Sequence, residues 1–412
     1  VVLLYLSGGA SQIETFDPKM AAPAEIRSVN GEVSTSLSGV TFGATMQKLA
    51  QRAHQMSVIR SHHHSVGAHE QAHVHVLTGG TDPSGGGKTG FGMGALYARL
   101  RGANHPETGI PTNCLLTAPE IDGQYRKELA RVRKGSRPLE LGASYAPFEP
   151  GGNGSALNNM KLTLDAQRFD DRRSLMTSLD SWKRRVDGLR QVQGVDRFNQ
   201  QAVDLLTGGA VDAIDLTRED PALLAKYNTS ERRIGFKQFR PSMLGHKMLM
   251  ARRLCEAGAG FVTVHSAGWD MHADSNNPGM QQGMAMLGTT MDHAVSAFLD
   301  DVSARGLSEK ILLVITGDFG RTPRVNKKGG RDHWAKLGTL AFAGGGLNMG
   351  QVIGQSDRQA TRPMTSPYTT AHLMGTIMQT LFDVGEMRLV SGIPPQIRRL
   401  VEESVSIPEL MP

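Results

Sequence analysis

Short apolar runs alternate with stretches of helical spacing along this 412-residue chain. Residues 1–6 (VVLLYL) are continuously apolar and end in Ser-Gly-Gly, the pattern of a strand buried on both faces that feeds a loop at its C-terminal end. Runs of the same kind, each closed by a glycine-bearing loop, stand at 260–268 (GFVTVHSAG), 311–320 (ILLVITGDFG) and 338–346 (GTLAFAGGG). Shorter strand signals lie at 56–61 (MSVIRS) and 111–117 (PTNCLLT). Helical spacing marks 42–53, 69–77, 91–102, 242–258, 279–306 and 369–384, and the helix at 69–77 stops at Gly79-Gly80. Strand and helix in turn predict an α/β fold, a largely parallel central sheet with helices on both faces. Residues 143–241 are polar and charged with few buried-strand signals, and are expected to form a mainly helical insertion or cap on one domain spanning 1–412. In such sheets ligands bind beyond the carboxyl ends of the strands, so the polar residues that follow each strand carry the interest.

Composition narrows the classes. The 48 glycines favour a loop-rich α/β enzyme over a helical bundle. A net charge of +6 suits an anionic substrate and equally suits a plain solvated surface. The basic residues are scattered rather than interleaved with aromatics, so no nucleic acid is expected as partner. No apolar run approaches the length of a membrane span. Cys114 and Cys255 define neither a zinc knuckle nor a disulfide framework. The chain opens at Val1 already inside an apolar run, so a trimmed start is expected, with any export signal outside these residues.

Candidate chemistry begins at His69-Glu70-x-x-His73, the spacing that sets two imidazoles on one helix face for zinc with a glutamate as general base. The extended form of that protease motif fails, because Val76 stands where a glycine is required; a zinc metalloprotease needing only a distant glutamate stays open. Other donors follow the strands: Ser11, Gln12, Glu14 and Asp17 after the first, Asp270 and His272 after 260–268, Asp318 and Arg321 after 311–317, then Asp332 and His333. Carboxylates and imidazoles from several strand ends suit zinc, manganese, magnesium or calcium, although a single aspartate there more often caps a helix or turn. His62-His63-His64 reads as a loop feature in which His64 alone is of interest. The run GGGKTG is no phosphate loop, since Asp82 holds the first-glycine position and the run follows a helix.

The segments GGASQIETFDP, GWDMH, GDFGRTPRVN and GRDHW, in that order, resemble an exported bacterial family, domain of unknown function fifteen-oh-one, which is similar in turn to the alkaline phosphatase and sulfatase superfamily. The resemblance spans nearly the whole chain and implies an alkaline-phosphatase-like core. In that superfamily a hydroxyl or cysteine-derived nucleophile opens a helix ending about nine residues later in Thr-Gly; counting back from Thr78-Gly79 places His69 at that station. The resemblance further implies Asp270, His272, Asp318, Asp332 and His333 as metal ligands, with Phe319 where a histidine is usual. Glu14 or Asp17 would replace the first-strand aspartate ligand, and Arg321 would hold an anionic ester or form a salt bridge. The expected activity is metal-dependent hydrolysis of a phosphate or sulfate ester on an anionic small molecule or glycan. The alternative is a non-catalytic exported protein that binds anionic glycans. The family implies a periplasmic or extracellular location.

Overall fold

The computed structural model describes residues 1–150, 210–383, 385, 387 and 393–412. Its central sheet has seven strands: β1 (Val2–Leu6), β2 (Met56–Ile59), β3 (Asn113–Leu116), β4 (Phe261–Ser266), β5 (Leu312–Gly317), β6 (Leu340–Gly344) and β7 (Gln351–Ile353). They lie in the order β7-β2-β6-β5-β1-β4-β3. Every pairing is parallel except those of β6, which runs antiparallel to both β2 and β5. The sheet is thus the largely parallel one expected.

β1 shows why its sequence is apolar throughout. Val2, Leu4 and Leu6 enter one core, while Leu3 and Tyr5 enter the other, and none is more than 1% exposed. Successive strand side chains face opposite ways, so a strand with helices on both faces must be apolar at every position. Helices α4 (Leu244–Glu256) and α5 (Thr289–Ala304) cover the first face with Met248, Leu249, Met291 and Phe298. The second is covered by α1 (His69–Leu77), α2 (Met93–Arg101), α3 (Arg126–Gly135) and α6 (Thr370–Leu381), through residues such as Val76, Leu96, Val132 and Ile377.

Residues 42–53 depart from expectation. Thr41–Gly43 is a strand paired with Glu32–Ser34, and the helix is confined to Gln47–Gln51. Gly43 presses against the backbone of Glu14 so closely that a Cβ would lie 2.1 Å from its carbonyl oxygen, an approach that only glycine permits. Residues 151–209 of the expected insertion lie outside the described residues. The rest of it contains helices Ala210–Ile214 and Pro221–Tyr227 and a two-strand ladder, Arg233–Ile234 with Arg240–Pro241.

Register positions the site. Leu6 on β1 is level with Ser266 on β4 and Gly317 on β5, so the three loops that follow emerge side by side. Gly8, at φ +102°, lets the first loop touch the second: a Cβ there would lie 2.4 Å from the Asp270 nitrogen. Ala273, at φ +61°, turns the chain sharply just after His272.

Candidate functional site

Asp318 leaves β5 fully buried. Its Oδ1 accepts the Gly8 N–H at 2.9 Å, and its Oδ2 makes a short contact with His69 Nδ1. His69 opens α1, where the helix N-terminus has no side-chain cap. One turn on, His73 Nδ1 donates to the His69 carbonyl at 2.9 Å and lies 3.3 Å from Asp318 Oδ2. His73 Nε2 lies 2.7 Å from Ser7 Oγ, and both residues are fully buried.

Asp270, on the loop after β4, is the hub. Its Oδ1 lies 2.5 Å from Arg321 Nη2, 2.8 Å from His272 Nε2 and 3.5 Å from His333 Nε2; its Oδ2 lies 3.3 Å from His69 Nε2. His272 Nε2 and His333 Nε2 are 2.9 Å apart. Behind them His272 Nδ1 donates to Asp332 Oδ1 at 2.9 Å, and His333 Nδ1 to the Gly67 carbonyl at 3.1 Å. His333 is delivered by a short ladder, Gly320–Arg321 with His333–Trp334. One ligand atom from each of His69, Asp270, His272 and His333 falls within a 4.8 Å group, and a second such group joins His69, His73 and Asp318.

Charge explains the titration of these groups. Burial opposes ionisation of Asp270, but Arg321 and then the histidines hold it well below the usual carboxylate range. Burial likewise opposes ionisation of Asp318, and His73 and His69 bring it down to about 2. Burial disfavours the His69 cation, yet the carboxylates of Asp270 and Asp318 beside it outweigh this and raise it to about 9. His272 is raised chiefly by its bond to Asp270.

A family model described as "Protein of unknown function (DUF1501)" matches residues 1–410. The chain belongs to this family. No curated protein matches the DUF1501 chain. Among solved structures it is similar to the phosphonate monoester hydrolase SpPMH from Silicibacter pomeroyi, with 10% identity and a TM-score of 0.40 over 99% of this chain and 77% of that one. It is also similar to Ps i-CgsB, with 9% identity and a TM-score of 0.39, and to Ps i-CgsB in complex with k-i-k-neocarrahexaose, with 8% identity and a TM-score of 0.38; each covers 98% of this chain and 76% of that one.

Not every anticipated residue of the DUF1501 chain joins the cluster. Glu14 is fully buried but turned to Arg331, 2.8 Å away, and to Ser28, Val29 and Asn30. Its carboxylate is consumed as an ion-pair partner, which corrects its expected place among the metal ligands. Asp17 is held by Ser356, Lys19 and Arg60. Asp332 is exposed and acts from behind His272. Arg321 is turned inward: Nε donates to the Gly9 carbonyl, Nη2 to the Gly8 carbonyl and Asp270, and Nη1 to the Arg331 carbonyl, with His272 Nε2 3.4 Å away. Four of the five guanidinium N–H groups are spent on the carbonyls of Gly8, Gly9 and Arg331 and on Asp270, so it positions Asp270. His64 is also structural, donating to the Asp318 carbonyl and accepting from the Val66 N–H.

Two buried residues escaped the sequence reading. Ser7 is the first residue past β1, where the strand-end rule points, but a lone serine there carries no metal signal. Glu128, on α3, accepts the Gly268 N–H at 3.0 Å and is pushed up to about 8, first by burial and then by the charges of Asp270 and Asp318. Between its ordinary 4.5 and 8 the folded chain holds a proton that the unfolded chain has lost. This contribution to stability is therefore full below pH 4.5, falls between the two values and is gone above pH 8. Glu128→Gln is expected to flatten that decline; melting temperatures measured from about pH 5 to 8.5 check it, and parallel curves for variant and parent would refute it.

Glu70 bears on the protease alternative. Its carboxylate is exposed, engaged by Arg131 at 2.5 and 2.8 Å, and a member of neither group of candidate ligands. Glu70→Gln is expected to change stability by less than about 1 kcal/mol, as for a surface ion pair, and to leave any ester turnover intact. Casein cleavage by the parent chain that disappears in this variant would restore the protease reading.

Proposed function

We propose that this chain is a metal-dependent hydrolase of phosphate or sulfate esters. The observation that carries the reading is the convergence of His69, Asp270, His272 and His333 beyond the carboxyl ends of three level, parallel strands. The residues fit a divalent cation: the donors are imidazole nitrogens and a carboxylate, and His69 Nε2 is buried with no hydrogen-bond partner. A cation held there by His69, Asp270, His272 and His333 would supply Lewis-acid polarisation of the ester and lower the pKa of a bound water. Arg321 holds Asp270 in place and balances its charge, while Asp318 holds His69. The start of α1 has no side-chain cap, and a helix N-terminus favours an anion beside His69. The substrate class that follows is an anionic small-molecule or glycan ester, and the family resemblance supports a periplasmic or extracellular setting.

The test is a panel of aryl phosphates and aryl sulfates assayed with zinc, manganese, magnesium and calcium. Turnover is expected with at least one ester and one metal, and His69→Ala is expected to abolish it. A parent chain inert across the panel would favour the second reading, a binding protein for anionic glycans. What supports that reading is Phe319, whose ring packs 4.7 Å from His69 and 4.6 Å from His333, placing an apolar face where the resemblance implies a ligand.

A further inference from the structure

We infer that His69, Asp270, His272 and His333 form a centre for one transition-metal ion, with His69 serving as a ligand rather than a nucleophile. This deepens the hydrolase reading and depends on it only for the place of the site.

Each of the three imidazoles presents Nδ1 to an atom that can only accept. His69 faces the Asp318 carboxylate, His272 the Asp332 carboxylate at 2.9 Å, and His333 the Gly67 carbonyl at 3.1 Å. The proton of a neutral ring must then sit on Nδ1, which leaves a lone pair on all three Nε2 atoms. Four of the six pairings among these three Nε2 atoms and the Asp270 carboxylate lie 2.8 to 3.5 Å apart, and one donor atom from each residue falls within 4.8 Å of the others. Among the described residues, the donor that reaches this group is Arg321, 2.5 Å from Asp270 Oδ1 and 3.4 Å from His272 Nε2. His69 Nε2 receives no hydrogen bond at all. Electron pairs packed this closely repel unless protons or a metal cation lie among them, and a single metal ion can serve all four donors at once. Outer carboxylates and a carbonyl that fix each imidazole are the usual support of metal-bound histidine.

Donor type and spacing then select the ion. Tetrahedral zinc, with bonds of about 2.0–2.1 Å, sets its donors about 3.4 Å apart, the scale found here. Calcium requires roughly six to eight oxygens and magnesium an octahedron of oxygens, whereas three of these four donors are nitrogen. The second group is closed against a further ion. His73 Nδ1 donates to the His69 carbonyl, so its Nε2 accepts the Ser7 hydroxyl, and both Asp318 oxygens are engaged.

The test strips the purified full chain with a chelator, dialyses it against zinc, calcium and magnesium together, and measures bound metal by elemental analysis. Cobalt is added separately to read visible absorption. About one zinc per chain, no retained calcium or magnesium, and cobalt bands of a four- or five-coordinate nitrogen–oxygen site are expected. His69→Ala is expected to weaken zinc binding more than about 100-fold, while Asp318→Asn keeps one zinc at an affinity about 10–100-fold lower. Should His69→Ala fail to fold by circular dichroism, His333→Ala on the half-exposed ladder gives the same readout. Two zinc ions per chain, preference for calcium or magnesium, or a folded His69→Ala with parental zinc affinity would overturn the inference. Stoichiometric zinc without ester turnover would sink the hydrolase reading alone. Turnover with calcium and no zinc uptake would sink this one alone.

Discussion

Asp270→Ala is expected to remove metal retention and to lower kcat/KM on an aryl ester by about 10²–10³-fold or more, the scale of losing one preorganised electrostatic element. No other carboxylate of the site touches so many of its parts. Arg321, His272 and His333 converge on one of its oxygens, and His69 stands 3.3 Å from the other. Truncation also leaves the Arg321 guanidinium, which is fully buried, without its counter-charge. Asp270→Asn separates the two effects, since it keeps the shape and discards the charge. Elemental analysis and steady-state kinetics on the two variants check the expectation. A folded Asp270→Asn with parental metal content and turnover would refute the assignment.

Arg331→Met is expected to cost about 3–5 kcal/mol of stability, the range seen when one partner of a buried ion pair is removed. Arg331 and Glu14 are both fully buried. Two guanidinium nitrogens lie 2.8 and 3.2 Å from Glu14 Oε1. The same guanidinium donates to the carbonyls of Thr322, Pro323, Ile26 and Arg27 and so ties two loops together. With methionine in its place the Glu14 carboxylate keeps only Ser28, Val29 and Asn30 as donors. Urea unfolding measures the loss, and adding Glu14→Gln to Arg331→Met should recover part of it, because no unpaired charge then remains inside. A single variant within about 0.5 kcal/mol of the parent would show that the pair is not the clasp it looks to be.

Most of the sheet could be read from the chain because strands covered on both faces must be apolar throughout, and VVLLYL, FVTVHS and LLVITG are close to that. The direction of β6 could not, since LAFAG is equally apolar whichever way it runs. β7 escaped because Gln-Val-Ile is too short to show a period. Within the site, Asp270, His272, Asp318 and His333 were legible as donors after strand ends. Their separate duties were not, because whether a carboxylate meets a cation or backs a histidine depends on which loop arrives opposite. Glu14 failed for that reason: Arg331 reaches it from the far end of the sequence. His73 is the instructive case. Its spacing from His69 does put both rings on one face of α1, 5.9 Å apart, as the zinc-protease pattern requires. Asp318, not Glu70, is the carboxylate that both rings meet.

The four converging side chains come from three stretches of backbone that meet only when the sheet is complete. Under the proposed reading, an ion seated among them would act as a rivet, since a chain that has come apart would offer it no comparable seat. Occupancy would then add to the unfolding free energy by mass action, about 2.7 kcal/mol when the free ion stands at a hundred times its dissociation constant. Scarcity of the ion would therefore be felt as fragility as well as idleness, and the surroundings would decide how long each molecule lasts.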